Sequence, residues 1–421
     1  MDPLPRLLSG FSPLPGVIKT DYTDFVVEEL PLYPADGVGT HTFFLLEKAG
    51  LSTMQAAHDV AAALNVHRRA IGFAGQKDAR AVTRQWMSVE HVEVERVLAI
   101  DRPRLRVLQA TRHGNKLRLG HLRGNRFQIR VRNAAPERLP ELENALAELA
   151  RRGVPNYFGV QRFGYRGDTW RIGRALVCGA ADEAVDLILG LPTDADVGRT
   201  RRARELYTLG QYLEAAAAWP RMFHAERRAL KVLARAGGRK GKALAAMDRR
   251  LREFYVSAYQ SHLFNQVVAA RLAHGLDRLW DGDLAWLHAS GAVFHVADAV
   301  VEQPRADCFD ISPTGPLFGR RMTQPGGRAQ VLETTIRAAE GLPAGAFDGP
   351  PYRAHGGRRP LRHRPGEPAA SLGADERGPY LELRFVLPRG CYATALLREL
   401  FQVEVVAQAA PDGEPTESEP D

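Results

Sequence analysis

The stretch Gly72-Phe73-Ala74-Gly75-Gln76-Lys77-Asp78-Ala79-Arg80-Ala81-Val82-Thr83-Arg84-Gln85 sets one carboxylate, Asp78, among cations just after a bend of small residues. Gly72 and Gly75 give the backbone conformations closed to larger residues. Lys77 and Arg80 flank the acid and favour its ionised form. A fixed, ionised aspartate in a basic setting suits a nucleophile or base acting on an anionic polymer such as RNA. The plainer alternative is a turn carrying a surface ion pair, which contributes little. The rest of the chain decides between them.

Upstream, His41–Lys48 reads as a strand, rich in aromatic and apolar residues. Ser52 caps a helix through Met54, Ala57, Val60, Ala61 and Leu64. Downstream, Arg104–Leu108 and Lys116–His121 suggest a strand pair around Thr111–Asn115. Phe127, Ile129 and Val131 then alternate with Gln128, Arg130 and Arg132, a half-buried strand with a basic outer face. Glu141–Arg152 is an amphipathic helix. Short hairpins mixed with helices argue for an α+β fold rather than a doubly wound sheet.

Beyond Gly153-Val154-Pro155 the pattern changes. Asp182–Leu272 is mostly helical, with basic clusters at Arg199, Arg201, Arg202 and Arg204 and at Arg235, Arg239, Lys240 and Lys242. Each cluster is either a solvated helix face or a contact for a polyanion. Short strand-like pieces return over Trp280–Phe318, such as Ala292–Val296. A Pro/Gly/Arg-rich connector, Gly349–Pro368, follows and holds the loop-like run Arg358–Arg364. Leu381, Leu383, Phe385 and Leu387 then alternate with Glu382, Arg384 and Val386, and a Leu- and Ala-rich helix runs over Tyr392–Phe401. Strand-rich ends flanking a helical middle are the layout of one domain inserted into another. The acidic, Pro-containing end, Pro411–Asp421, is expected to be disordered.

The chain has 421 residues and a formal net charge of +8, enough length for two or three domains and a balance that favours a polyanionic partner. Cys178, Cys308 and Cys391 lie far apart, so neither a disulfide framework nor a zinc ribbon is indicated. The first residues lack the charged start and apolar run of a signal peptide, and no stretch is long and apolar enough to span a bilayer. The expectation is a cytoplasmic protein without a membrane role, and a monomer by default.

Three further segments stand out: Gly124-Asn125-Arg126-Phe127, Asn156–Gly164, and Leu387–Thr394. Aromatics beside Arg supply stacking surfaces and phosphate contacts, the two needs of single-stranded RNA binding. For Phe127, Phe158 and Phe163 the competing reading is a place in the core.

Gly72–Asp78 with Ala81, Thr83 and Gln85 resembles the signature of the TruD family of tRNA pseudouridine synthases. Asn156–Gly164 and Leu387–Glu399 are similar to two further family motifs. Asp24–Glu29, Gly39-Thr40-His41 and Gly315–Gly319 also fit, and the resemblance covers nearly the whole chain except the acidic tail. It implies an isomerase that turns one uridine of tRNA, typically at position 13, into pseudouridine with no cofactor and no metal. Asp78 falls on the catalytic aspartate, Phe127 on the aromatic that stacks on the target base, and Asn125 on a residue supporting the site. Lys19 looks like a family basic residue near the site. Lys77 and Arg80 would tune Asp78 or reach phosphates, Arg80 otherwise being solvated. Tyr392 would line the pocket or pack. The implied fold is α+β, a pseudouridine-synthase-type catalytic domain with a mixed, largely antiparallel sheet, interrupted by an inserted α/β domain. The expected boundaries are 1–153 and 346–408 for the catalytic domain, 154–345 for the insertion and 409–421 for the tail. The expected partner is tRNA, with no obligate protein partner.

Rival chemistries fit less well. Glycosidases need two carboxylates flanking the bond, and Asp78 has no partner acid in its motif, although folding could bring Glu28 near. Gly237–Ala243 suggests a phosphate loop but lacks its first glycine and its Ser or Thr. His262, His274, His288 and His295 do not have metal-ligand spacing. A non-catalytic RNA-binding or RNA-chaperone protein on the same fold is the rival from another class; its mark would be a lost aspartate at 78.

Overall fold

The computed structural model describes residues 4–343, 345–347 and 354–405. The acidic tail expected over 409–421 lies outside them. The chain forms two units. One is built from Arg6–Pro155 and His363–Val406, the other on Asn156–Arg362, so the chain leaves the first unit after Pro155 and returns to it at His363.

The first unit is organised by an 11-stranded sheet. Its first eight strands are β1 (Leu14–Ile18), β2 (Phe25–Pro31), β3 (His41–Ala49), β4 (Gly72–Phe73), β5 (Val82–Glu90), β6 (Asp101–Arg102), β7 (Leu105–His113) and β8 (Leu122–Arg132). Across the sheet the order is Gly366–Asp375, Gly378–Pro388, β8, β2, β5, β3, β7, β6. Strand β1 pairs with β8 and with Phe401–Val405, and β4 pairs with β5. Only β2 with β5 and β1 with Phe401–Val405 run parallel; the other pairs are antiparallel, so the sheet is mixed and largely antiparallel, an α+β unit.

Ser52 caps the helix Thr53–Leu64 in a capping box with Gln55. Its Ala56, Ala57, Val60, Ala61 and Leu64 bury against Phe44, Leu46, Met87 and Val89 of β3 and β5. The helix Leu139–Arg152 buries Leu142, Leu146 and Leu149 and packs on Gly366–Asp375 and on the helix Ala393–Leu400. The alternation in β8 holds for Phe127, Ile129 and Val131, all buried. Arg132, expected on the outer face, is buried too, because Asp24 (from 2.6 Å) and Asp375 (from 2.7 Å) close over its guanidinium.

The expected strand over Lys116–His121 does not form, and β7 pairs with β3 and β6 instead. Residues 116–121 fold down on the segment before Asp78: the Leu117 N–H donates to Ser88 Oγ (2.9 Å) and the Gly120 N–H to the Ala74 carbonyl (2.8 Å). This explains Gly72. Its φ is not in the left-handed region, but a Cβ there would lie 2.4 Å from the Leu117 carbonyl oxygen. The requirement is space, not backbone freedom. Gly75 has neither need, since its Cβ would make only an ordinary contact at 3.5 Å.

The second unit is helical with a four-stranded antiparallel sheet, ordered Val293–His295, Leu284–Leu287, Ile311–Leu317, Gly357–Pro360. The long helix Arg249–Leu272 and the helix Thr169–Val177 bury Tyr255, Tyr259, Leu263, Ile172 and Leu176 in its core. The run Arg358–Arg364 is not the loop its composition suggests. Gly357–Pro360 is a strand on Ile311–Leu317, within the second unit, whereas the sequence places the return to the catalytic domain at 346. Arg358 is buried on Glu333 (2.6 Å), and Arg362 is fully buried on the Ala306 carbonyl (2.6 Å) and Ser312 Oγ (3.1 Å). In the cluster at 199–204, Arg204 turns inward onto Asp196 (3.0 Å), while Arg201 and Arg202 are exposed beside Glu205.

Candidate active site

Asp78 lies in the segment between β4 and β5, with its side chain 40% exposed. One carboxylate oxygen is hydrogen-bonded by Lys19 Nζ; the other accepts the Arg80 backbone N–H at 2.9 Å. Lys19 follows β1 directly, with its backbone in the left-handed region (φ 61°), a conformation that costs a non-glycine residue about 1–2 kcal/mol. Its carbonyl accepts from an Arg80 guanidinium nitrogen at 3.4 Å, and its ammonium stands 4.3 Å from the centre of the Phe25 ring. Lys19, Asp78 and Arg80 therefore form one cluster, two of them expected from the local motif and one from the start of the chain.

Burial is the largest single influence on the Asp78 carboxyl and acts to raise its pKa. The Lys19 charge and hydrogen bond, the Arg80 N–H and the Lys48 charge outweigh it, so the pKa falls below the ordinary 3.8. The group is an anion at neutral pH and is open enough to meet a ligand.

Lys77 is not part of that cluster. Its amine is paired with Glu29 of β2, and the two side chains are 4% and 0% exposed. The expectation that it tunes Asp78 or reaches phosphates gives way to a buttress beneath the loop. Desolvation raises the Glu29 pKa above its usual 4.5, while Lys77 and the Trp86 N–H (3.3 Å) oppose the rise. The Lys77 N–H donates to Thr53 Oγ1 (2.8 Å), which donates in turn to Gln85 Oε1 (3.0 Å). The motif's Gln85 thus braces the loop through a helix start.

Strand register carries the site across the sheet. Phe25, Val27 and Glu29 of β2 face Ile129, Phe127 and Asn125 of β8. Phe385 and Leu387 face Phe127 and Asn125 from the other side. Phe127 lies against Phe385 (ring centres 5.2 Å, 24° between planes) and meets Phe25 edge-on at 6.1 Å. It is 7% exposed, so stacking on a base requires one of these rings to yield. Asn125 Oδ1 is buried and has no hydrogen-bond partner, an acceptor that a ligand donor would satisfy. Tyr392 is half-buried at the N-cap of the helix Ala393–Leu400 and makes no capping bond.

Two open alternatives close on the side of packing. Phe163 is 2% exposed, and Phe158 packs edge-on against Phe264 at 5.6 Å. Their motif begins with Asn156, whose amide donates to the Pro360 carbonyl (2.8 Å). Glu28 sits 3.9 Å from Arg126, and its neighbour Glu29 is fully buried on Lys77. Glu28 is thus placed beside Arg126, and Glu29 is committed to Lys77.

Lys48 and Glu29 are the residues that local sequence reading misses. Both are charges in phase with an apolar strand face: Lys48 with Phe44 and Leu46, Glu29 with Phe25 and Val27. Lys48 is fully buried and donates to the Leu51 carbonyl (2.6 Å) and the Asp78 carbonyl (3.0 Å). Among the described residues no group of three or more His, Cys, Asp or Glu is placed to hold a metal ion, and no helix is long and apolar enough to cross a membrane.

Residues 6–400 match the model of the family described as tRNA pseudouridine synthase D (TruD). The chain is 47% identical over 397 residues to the tRNA pseudouridine synthase D of Geobacter metallireducens, covering 94% of this chain and 97% of that one. It is 43% identical over 388 residues to the Geobacter sulfurreducens protein of the same name, covering 92% and 94%. A crystal structure from Methanosarcina mazei carrying the same TruD designation superposes with a TM-score of 0.80 at 25% identity, covering 96% of this chain and 97% of the other.

Proposed function

The chain belongs to the TruD (tRNA pseudouridine synthase D) family, and from that premise we propose that it isomerises a uridine of tRNA, position 13, to pseudouridine with Asp78 as the catalytic carboxylate. The observation that carries this reading is Asp78 itself: part-exposed, held by Lys19 and the Arg80 N–H, and ionised because that positive surround overcomes burial. The target nucleotide must first leave its stack, because a stacked base hides its glycosidic bond. The N1–C1′ bond then breaks, the uracil turns, C5 bonds to C1′, N1 takes up a proton and C5 gives one up. Atoms and electrons balance within the nucleotide, so the chemistry calls on no cofactor or metal.

Asp78 acts either by attacking C1′ or by taking a sugar proton, and both roles need an ionised carboxylate within reach of the ribose. Phe127 would stack on the base once Phe385 or Phe25 yields, and the unpartnered Asn125 oxygen would accept a donor from the everted nucleotide. The +8 chain suits a polyanionic partner.

The test is tritium release from tRNA labelled at uridine C5. Wild type releases label, and Asp78→Asn loses at least about 1,000-fold in rate, the weight of a lost nucleophile or base, while binding tRNA within about threefold. Comparable turnover by the two proteins refutes the role of Asp78. Binding by wild type without any release favours the rival reading, an RNA-binding or RNA-chaperone protein.

A further inference from the structure

Lys48 is a charge where the fold would accept an apolar side chain. It closes β3 on the face that carries Phe44 and Leu46 and is 0% exposed. Its environment works against the charge: burial, helped by Lys77 and opposed by Asp78, pushes its pKa down to about 8. A methionine of similar length would fill the space without that desolvation.

What a methionine lacks is the pair of bonds Lys48 makes. Its amine joins the Leu51 carbonyl (2.6 Å) to the Asp78 carbonyl (3.0 Å). Leu51 immediately precedes Ser52, the N-cap of the helix Thr53–Leu64, whose Thr53 receives the Lys77 N–H at 2.8 Å. The loop is thus fastened to the helix start at two successive residues, through the Lys77 N–H and the Asp78 carbonyl. The Asp78 carboxylate is held from the other side by the Arg80 N–H.

We propose that Lys48 is a positioning residue for the reacting carboxylate, its ammonium clamping the Asp78 main chain to the start of the helix Thr53–Leu64. The inference rests on Asp78 as the reacting group. Lys48 also contributes to the charge around Asp78. The cations whose charge acts on that carboxylate are Lys19 from the end of β1 and Lys48 from β3; Arg80 from the same loop reaches it with its backbone N–H and places its guanidinium on the Lys19 carbonyl, and Lys77 is committed to Glu29. Lys19 is the strongest of the influences that lower the Asp78 pKa, followed by the Arg80 N–H and then Lys48.

The test uses the full chain, tritium release from C5-labelled tRNA, and the variants Lys48→Met and Lys48→Gln. Lys48→Met loses both bonds, and kcat falls about 10–100-fold, the scale of a misplaced reacting group, with KM for tRNA within about threefold. Its acid limb moves to higher pH, because Asp78 has lost a nearby cation. Lys48→Gln keeps an N–H donor and recovers part of kcat, yet its acid limb moves as in Lys48→Met, because the charge is gone. A merely structural lysine would lower the melting temperature and leave the limb in place. Wild-type kcat with an unmoved limb in both variants overturns the inference and leaves the Asp78 role, read separately from Asp78→Asn, untouched. Failure of both variants to give a folded circular dichroism spectrum makes Lys48 a folding residue and also overturns it.

Discussion

Replacing Lys77 by methionine separates a buttress from an RNA contact. The Lys77 side chain is 4% exposed and that of its partner Glu29 0%, so the substitution strands a carboxylate in the core with the Trp86 N–H (3.3 Å) as its remaining donor. Breaking a buried pair from one side costs about 3–5 kcal/mol, because the remaining charge is uncompensated. In a folding unit of roughly 150–250 residues each kcal/mol lowers the melting temperature by about 2–4 °C, so the expected fall is roughly 6–20 °C. Exchanging Glu29 for glutamine as well removes the stranded charge, and Glu29→Gln/Lys77→Met recovers most of the loss.

The pH dependence has a fixed sign. Burial raises the folded-state pKa of Glu29 above the 4.5 of a free glutamate, with Lys77 opposing. A carboxyl raised on folding contributes stability that is fully present below 4.5 and lost as pH climbs through its folded pKa. Without Lys77 that folded pKa rises further. The deficit of Lys77→Met relative to wild type is therefore smallest near pH 4.5 and grows toward neutrality. Urea unfolding of wild type, Lys77→Met and the double variant at pH 4.5 and pH 7.5 reads it directly. A deficit under about 1 kcal/mol at pH 7.5, the scale of a solvated pair, would refute the buttress. So would a deficit independent of pH. Either result would return Lys77 to the roles its motif suggests, tuning Asp78 or reaching phosphates.

Two further outcomes follow from the same electrostatics. Lys19→Met removes the strongest influence lowering the Asp78 pKa and leaves burial opposed by the Arg80 N–H and Lys48. The acid limb of kcat then moves to higher pH, further than in Lys48→Met, and an unmoved limb in a pH–rate profile would detach it from Asp78. Arg201→Glu with Arg202→Glu, two exposed residues beside Glu205, should flatten the plot of log tRNA affinity against log salt by about 0.7–0.9 for each phosphate no longer neutralised. A filter-binding slope identical to wild type would assign these arginines to Glu205 and solvent alone.

Where periodicity and capping act locally, the sequence was a sufficient guide. The β8 alternation, the Ser52 cap and the helical middle depend on residues within a few positions of one another. Composition misled where distant partners decide. The Arg-rich run at 358–364 looks like a solvated loop, yet Arg358 lies in a strand and buries its side chain on Glu333, 25 residues away. Arg132 lies on the polar side of its strand and is buried all the same, because Asp24 and Asp375 arrive from 108 and 243 residues away. Residues 116–121 have the look of a strand but are pinned instead to the Ser88 hydroxyl and the Ala74 carbonyl.

The site divides along the same line. Asp78 is conspicuous within its own motif, but apart from the Arg80 N–H the groups that set its charge and place come from elsewhere in the chain. Lys77, adjacent in the chain, is turned onto Glu29; Lys19, 59 residues earlier, holds the carboxylate, and Lys48, 30 residues earlier, holds the carbonyl. One signal of this was present in the strands. A charged residue in phase with a buried apolar face carries a desolvation cost that the fold must offset with a partner. Lys48 in phase with Phe44 and Leu46, and Glu29 in phase with Phe25 and Val27, are two such charges. Both turn out to brace the loop bearing Asp78, one through the Asp78 carbonyl and the other through Lys77. Out-of-place charges on β2 and β3 thus both bear on the segment that carries Asp78, the carboxylate we propose for the reaction.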